Sequence, residues 1–412
     1  MADVMRSAQL WTVTPVEGGV TAPLGFSSSA LHCGIKKSAE ALDLAVIAAD
    51  APSSAAGLFT TNLAKAAPVL VSRQHLDRTQ GIARALVVNS GCANACTGVD
   101  GLANAIRMAT ETATGIGCAA DAVLVASTGV IGVGLKMDKV VPGIRTAVKT
   151  LARGKGSEAA RAIMTTDPFP KEYAVTVQTP RGAFIVGGTA KGSGMIEPNM
   201  ATMLGFITTD AAVAPAMLQR ALEASARDTF NAITVDGECS TNDSLFVLAS
   251  GAGGVTIDEQ LYPALLEGLL AVSRELALGI VRGGEGATKL IAVTVRDAAT
   301  TDDARQVART IANSPLVKTA VHGADPNWGR IVAAAGRSGV VFDMERATVH
   351  VGGILLFENG LPHDEAAPKA VEQLKQSTVQ IDVSLGAGSA TATIWGCDLS
   401  VEYVRINGEY RT

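Results

Sequence analysis

The sequence predicts a mixed α/β (α+β) fold in two domains, and three observations carry that expectation. Short β-branched runs alternate along the chain with stretches of helical periodicity. At 412 residues the chain is longer than one ordinary hydrophobic core accommodates. Apolar residues make up 48% and charged residues 18%, a balance that buries a large core and excludes a disordered chain.

Taken in order, residues 85–88, 123–126 and 174–177 read as buried strands. Residues 100–114 read as a helix, with Leu102, Ala105, Ile106 and Ala109 at helical spacing. Two longer amphipathic helices are predicted over 214–230 and 258–278. The glycine pair Gly283-Gly284 then separates a helix from a new strand, which suits a domain boundary. This gives an N-terminal domain, 1–284, and a C-terminal α/β domain, 285–412. In the latter the pattern predicts a strand over 289–296, a helix over 302–312, strands over 347–356 and a helix over 364–376. Residues 379–383 and 389–395 alternate around Gly386-Ala387-Gly388, which predicts a hairpin. Glycine, at 43 residues, favours tight turns and close backbone approaches.

Several function classes drop out. The net charge is −5 with no basic run, unlike a nucleic-acid binder, which needs clustered Lys and Arg for phosphates. The N-terminus carries no apolar core of signal-peptide length. The apolar stretch 41–59 is interrupted by Asp43, Asp50 and Pro52 and cannot span a bilayer. Six cysteines lie scattered, at 33, 92, 96, 118, 239 and 397, which fits a reduced cytoplasmic protein rather than a disulfide scaffold. Cys92 and Cys96 have no second Cys/His pair at metal-site spacing, so no metal is expected.

The usual nucleophile machinery is also missing. None of the five histidines sits in a Ser or Cys elbow, and no G-x-S-x-G occurs. The glycine-rich run 129–134 does not fit G-x-G-x-x-G, and 283–289 lacks the G-K-[ST] of a phosphate loop. What stands out is Lys191-Gly-Ser-Gly-Met-Ile-Glu-Pro-Asn-Met-Ala-Thr202-Met-Leu-Gly205. Its glycines and Pro198 suit a shaped loop that enters an apolar element. Thr202 has two readings there. It is an N-cap for the apolar element after it, or its hydroxyl attacks the Ala201 carbonyl, so that an N-to-O acyl shift and hydrolysis leave Thr202 at a new N-terminus. The freed α-amine, with a reference pKa of about 7.7–8.0, then serves as general base for its own hydroxyl.

The same segment, together with Gly18-Gly-Val-Thr-Ala-Pro23, Phe59-Thr-Thr-Asn62, Asn89-Ser-Gly-Cys-Ala-Asn-Ala-Cys-Thr-Gly98, Ser127-Thr-Gly-Val-Ile-Gly132, Thr165-Thr-Asp167, Thr241-Asn-Asp243, Gly284-Glu-Gly-Ala-Thr-Lys289, Asp325-Pro-Asn-Trp-Gly-Arg330 and Asn407-Gly-Glu-Tyr-Arg-Thr412, resembles the ornithine acetyltransferase (glutamate N-acetyltransferase) family of arginine biosynthesis. The resemblance runs over nearly the whole chain. It implies a two-domain, self-processing Thr acyltransferase of DmpA-like fold, cleaved between Ala201 and Thr202 into an α chain, 1–201, and a β chain, 202–412, with two of each assembling as a heterotetramer. It implies ping-pong acetyl transfer from N-acetylornithine to glutamate through an acetyl ester on Thr202, with no cofactor. Some members of the family also take acetyl from acetyl-CoA to make N-acetylglutamate.

The carried-over residues come from the matching motifs. Thr128 and Gly129 match the oxyanion hole, a hydroxyl and a backbone N–H, where removing one donor typically costs about 2.7–4 kcal/mol. Thr165, Lys191, Thr202, Glu285, Asn407 and the C-terminal Thr412 match substrate-binding positions. Such amino-acid substrates need a cation for carboxylate and acceptors for ammonium. The sequence does not distinguish Thr165 from Thr166 as the inward-facing threonine. Cys92, Cys239, Leu24 and Leu63 depart from the family pattern, none at the nucleophile or the oxyanion pair. Beside this reading stand a self-processing N-terminal-Thr aminopeptidase or amidase, which would hydrolyse the acyl-enzyme, and an uncleaved assembly scaffold.

Overall fold

The computed structural model describes residues 10–197 and 203–409. Ala201, Thr202 and Thr412 therefore lie outside the described residues. Among the described residues, nine strands form one sheet: β1 (Thr12–Val16), β2 (Phe26–Leu31), β3 (Leu44–Phe59), β4 (Ile82–Cys92), β5 (Val123–Val130), β6 (Lys171–Thr179), β7 (Gly182–Lys191), β8 (Leu204–Thr209) and β9 (Ser244–Ala249). The strand order is β1-β6-β7-β8-β9-β3-β4-β5, with β2 beside β3.

The length of β3 explains how one sheet makes two layers. Its pairing with β4 is interrupted between Ala48 and Ser53, and the intervening Asp50, Ala51 and Pro52 are exposed. Proline removes a ladder donor, so the strand breaks register and bends there. The first half of β3 pairs with β2 and β4, and the second half with β9. The alternation of side chains then sorts three cores. Leu44, Val46, Ala48, Val87 and Val125 face the helices Gly98–Ile116 and Met137–Lys149. The interleaved Ala45, Ile47, Leu86, Val88 and Leu124 instead meet Leu204, Phe206, Phe246 and Leu248 of the other layer. On the far side of that layer Val175, Val186, Ile207 and Val247 pack under the helices Pro215–Arg227 and Tyr262–Arg282. The result is a helix–sheet–sheet–helix sandwich with its strands buried on both faces.

A second sheet comes next, with β10 (Leu290–Ala298), β11 (Thr348–Val351), β12 (Ile354–Glu358), β13 (Leu361–Pro362), β14 (Thr378–Ser384) and β15 (Ala390–Cys397) in the order β13-β12-β11-β14-β10-β15. It has its own core, in which Val293, Val307, Ile311, Ile381 and Ile394 meet. The expected hairpin between 379–383 and 389–395 is not formed: β10 lies between β14 and β15, parallel to the first and antiparallel to the second. The glycine turn instead wraps the end of β10. Gly386 has φ +59°, Leu385 N–H donates to the Arg296 carbonyl, and Ala387 and Gly388 N–H both donate to that of Asp297.

The helix over 100–114 is observed as Gly98–Ile116, but its buried stripe is Gly101, Ala105, Met108, Ala109 and Thr112, while Leu102 and Ile106 are exposed. The helix predicted to start at 258 starts at Tyr262, with Pro263 in its first turn and Asp258 Oδ1 accepting from Gln260 and Leu261 N–H before it. No helix among the described residues is long and apolar enough to cross a membrane. After β15 comes the helix Val401–Glu409, which has no buried residue; its Tyr403 reaches Asp236 and its Asn407 reaches Glu285.

Candidate active site

A cavity of about 140 Å³ opens where the ends of β5 and β7, the loops 236–242 and 283–289 and the terminal helix converge. Of the residues singled out from sequence, Thr128, Gly129, Thr165, Lys191, Glu285 and Asn407 all line it. They come from distant parts of the chain, so only the fold brings them together.

The end of β5 is held in an unusual conformation. Gly129 has φ +129°, and a β-carbon there would lie 2.3 Å from the Gly91 carbonyl carbon and 2.5 Å from Cys92 N. The pairing of β4 with β5 shifts register at this point, between Gly91 and Cys92. Only glycine permits so close a backbone approach at such a φ. Asn242 fixes the neighbourhood, its Nδ2 donating to the carbonyls of Ala93, at 2.6 Å, and of Ser127, at 2.9 Å. Ser127 Oγ donates to Asn89 Oδ1 at 2.7 Å, and Asn89 Nδ2 to the Cys92 carbonyl at 2.8 Å. Thr128 and Gly129 thus sit on a rigid, polar-braced strand end, the kind of support a preorganised donor pair requires.

Lys191 ends β7, and its Nζ lies 3.5 Å from Thr165 Oγ1. Beneath it is a buried ion pair: Lys171 Nζ donates to Asp167 Oδ1 at 2.6 Å, both side chains being almost fully enclosed. Asp167 also accepts from Gly192 N–H at 2.8 Å and Thr165 N–H at 3.0 Å, so one carboxylate orders the backbone beside two pocket residues. Burial by itself would raise the Asp167 pKa, but the Lys171 ammonium, with Lys191 behind it, holds it below the usual carboxylate range. Burial pushes the Lys171 ammonium the other way, below its ordinary value, against the opposing pull of Asp167. Asp167→Ala would leave Lys171 buried without its counter-charge and is expected to destabilise the protein by about 3–5 kcal/mol. Chemical denaturation checks this. Replacing the pair together, Asp167→Leu with Lys171→Met, should cost clearly less than the single change.

Glu285 is buried and doubly bonded. Its Oε1 accepts from Thr166 Oγ1 at 2.6 Å and its Oε2 from Asn407 Nδ2 at 2.8 Å. Gly194 passes so close that a β-carbon would meet Glu285 Oε2 at 2.4 Å. The two adjacent threonines therefore divide the work: Thr166 holds Glu285, Thr165 faces Lys191, and both line the cavity.

Sequence reasoning missed Asp236 and Tyr403, and held Asn242 only as part of the motif Thr241-Asn-Asp243, without a role. Asp236 Oδ2 and Oδ1 accept from Met195 and Ile196 N–H, each at 2.7 Å, and Tyr403 Oη donates to Oδ2 at 3.2 Å. Met195 is a non-glycine residue at φ +57°, a conformation Asp236 helps to hold. A signal for Tyr403 was present, since it precedes Asn407 by one helical turn and so shares its face. The segment that Asp236 grips leads directly to the undescribed residues 198–202. Beyond them the Met203 carbonyl accepts from Ser244 N–H at 3.2 Å and β8 begins. The element after Thr202 is thus a strand, and the helix N-cap reading of that threonine has no helix to cap.

A model of the ArgJ family matches residues 27–412. The Arginine biosynthesis bifunctional protein ArgJ of Dehalococcoides mccartyi is 49% identical over 400 residues, covering 96% of this chain and 98% of the relative. Its namesake in Symbiobacterium thermophilum is 49% identical over 401 residues, covering 96% and 99%. Among solved structures, an ornithine acetyltransferase from Mycobacterium tuberculosis, in complex with ornithine, is 43% identical; the match covers 46% of this chain and 99% of that one, with a TM-score of 0.42. With a family model matched from residue 27 to the last residue, and relatives of this identity along almost their full length, the chain belongs to the ArgJ family.

Proposed function

We propose that the protein is an N-acetyltransferase of arginine biosynthesis, which moves acetyl from N-acetylornithine to glutamate through an ester on Thr202. The observation that carries the reading is a single cavity that joins Thr128 and Gly129 to Lys191 and Glu285, beside the segment that leads to Thr202. A tetrahedral intermediate needs donors aimed at its oxyanion, and an amino-acid substrate needs one fixed cation and one fixed anion. That Thr128, Gly129, Lys191 and Glu285 all line one cavity supports the reading.

The sequence of steps derives from the chemistry of a threonine hydroxyl. Thr202 Oγ first attacks the Ala201 carbonyl, the peptide nitrogen departs as the Thr202 α-amine, and water hydrolyses the resulting ester. The chains 1–201 and 202–412 result. In turnover the α-amine takes the hydroxyl proton as Oγ attacks the acetyl carbonyl of N-acetylornithine. The oxyanion is met by the Thr128 hydroxyl and the Gly129 N–H. Collapse transfers the proton to the leaving amine and releases ornithine. The α-amine of glutamate then attacks the acetyl ester through the same oxyanion site, giving N-acetylglutamate and the free hydroxyl. Lys191 would hold an α-carboxylate, with Thr165, Asn407 and Thr412 shaping the pocket around it. No cofactor is required. The assembly in this reading is two α and two β chains, working in the cytoplasm, where the six free cysteines stay reduced.

The test is ornithine release from N-acetylornithine with and without glutamate. Release that depends on glutamate, with N-acetylglutamate formed in equal amount, is the expected result. Equal release without glutamate would mark a hydrolase and overturn the proposal. Substituting acetyl-CoA for N-acetylornithine tests the second acetyl donor that the family resemblance implies for some members.

A further inference from the structure

The proposed exchange, on which this inference rests, sets a problem of charge. N-acetylornithine and glutamate share an α-carboxylate but end in opposite charges, an ammonium and a carboxylate. A fixed anion such as Glu285 suits the first and repels the second. A pocket that serves both in turn needs, at its far end, a group able either to accept or to donate a hydrogen bond. Lys has donors alone and ionised Asp or Glu acceptors alone, whereas a phenol has both.

Thr128 and Gly129, the proposed oxyanion donors, line the same cavity as Tyr403, which comes from the terminal helix one turn before Asn407. Its Oη lies 3.2 Å from Asp236 Oδ2, and both residues line the cavity. Asp236 cannot swing away, because the Met195 and Ile196 amides hold both of its oxygens at 2.7 Å. The mobile element is the phenolic O–H, which turns about the Cζ–Oη bond. Burial and the neighbouring Asp236 raise the Tyr403 pKa above the usual phenol value, so the proton stays on Oη.

We propose that Tyr403, set against Asp236, is the residue that lets one pocket take substrates of opposite ω-charge. With an ω-ammonium bound, Oη accepts from the substrate while its proton points to Asp236, and the Asp236 carboxylate adds its attraction. With an ω-carboxylate bound, the O–H turns to donate to the substrate and stands between it and Asp236, which keeps its two backbone donors.

Two exchange reactions isolate the two charges. Acetyl exchange between N-acetylornithine and labelled ornithine uses only the cationic end, and exchange between N-acetylglutamate and labelled glutamate only the anionic one. Tyr403→Phe removes the hydroxyl and keeps the ring. The expected result is that both exchanges slow, each losing a hydrogen bond to a charged group, but that glutamate exchange slows about tenfold more than ornithine exchange, because the Asp236 carboxylate still attracts the ammonium and now repels the carboxylate unscreened. Denaturing gel electrophoresis and thermal unfolding establish that the variant is processed and folded. Equal loss in both reactions, or no loss in either, would overturn the inference. If the wild-type protein performs neither exchange, the acetyltransferase reading itself fails, which is a different result from an unselective Tyr403→Phe.

Discussion

Thr202→Ala is expected to leave the chain as one uncut polypeptide with no measurable acetyl transfer, while folding as stably as the wild-type precursor. Both chemistries need the same oxygen, so both vanish together. Thr202→Ser should keep some of each. The lost methyl frees the χ1 rotamer, and a poorly positioned nucleophile can cost about a hundredfold in rate. A purely structural role would give the opposite pattern, with Ala costing stability, typically about 0.5–3 kcal/mol, and activity intact. Gel electrophoresis under denaturing conditions and the acetylornithine–glutamate assay distinguish the two. An alanine variant that is still cut in two, or still transfers acetyl, would remove Thr202 from the mechanism.

The second large effect is expected at Gly129. Its φ of +129° is a region L side chains avoid, which alone costs on the order of 1–3 kcal/mol. The added β-carbon would also meet backbone atoms of Gly91 at 2.3 Å and Cys92 at 2.5 Å, and neither can move without parting β4 from β5. Gly129→Ala should therefore lower the thermal midpoint and, by shifting the proposed oxyanion donor, reduce kcat about 10²–10³-fold. The contrast with Gly132 makes the point specific: it too has positive φ, but a β-carbon there meets nothing within 4 Å. Gly132→Ala should show the strain without the catalytic loss. If the two variants behaved alike in kcat, Gly129 would be no more than a turn residue.

How much of this was legible beforehand varies by residue. Apolar periodicity found most strands and helices, because burial on one face leaves its period in the sequence. It did not reveal that β10 lies between β14 and β15: alternation marks a half-buried strand but not its neighbour. In the helix Gly98–Ile116 it placed Ala105 and Ala109 on the buried stripe correctly but also Leu102 and Ile106, which face out, while Gly101, Met108 and Thr112 complete the buried side. Around the one large buried side chain, Met108, close packing admits small residues, which periodicity weighted by size overlooks.

The site shows a similar split. Lys191, Glu285 and Asn407 carried weight only through the family resemblance, since each alone reads as a solvated side chain. The fold gives them a common cavity that no spacing along the chain could announce. Asp236 was invisible because its main partners are backbone amides of Met195 and Ile196, which no side-chain motif encodes. Asp167 stood in plain view in Thr-Thr-Asp, yet its burial beside Lys171 is a tertiary fact.

The most direct test of the central claim is to hold the enzyme at its covalent intermediate. Processed protein is mixed with N-acetylornithine in the absence of any acceptor, quenched in acid within the first turnovers, digested and analysed by mass spectrometry. The account predicts a β-chain peptide that begins Thr202-Met-Leu-Gly205 and carries one acetyl group on the Thr202 hydroxyl, lost when glutamate is added before the quench. Acetyl found instead on a cysteine such as Cys239, or no acetyl-enzyme under conditions of rapid turnover, would contradict it.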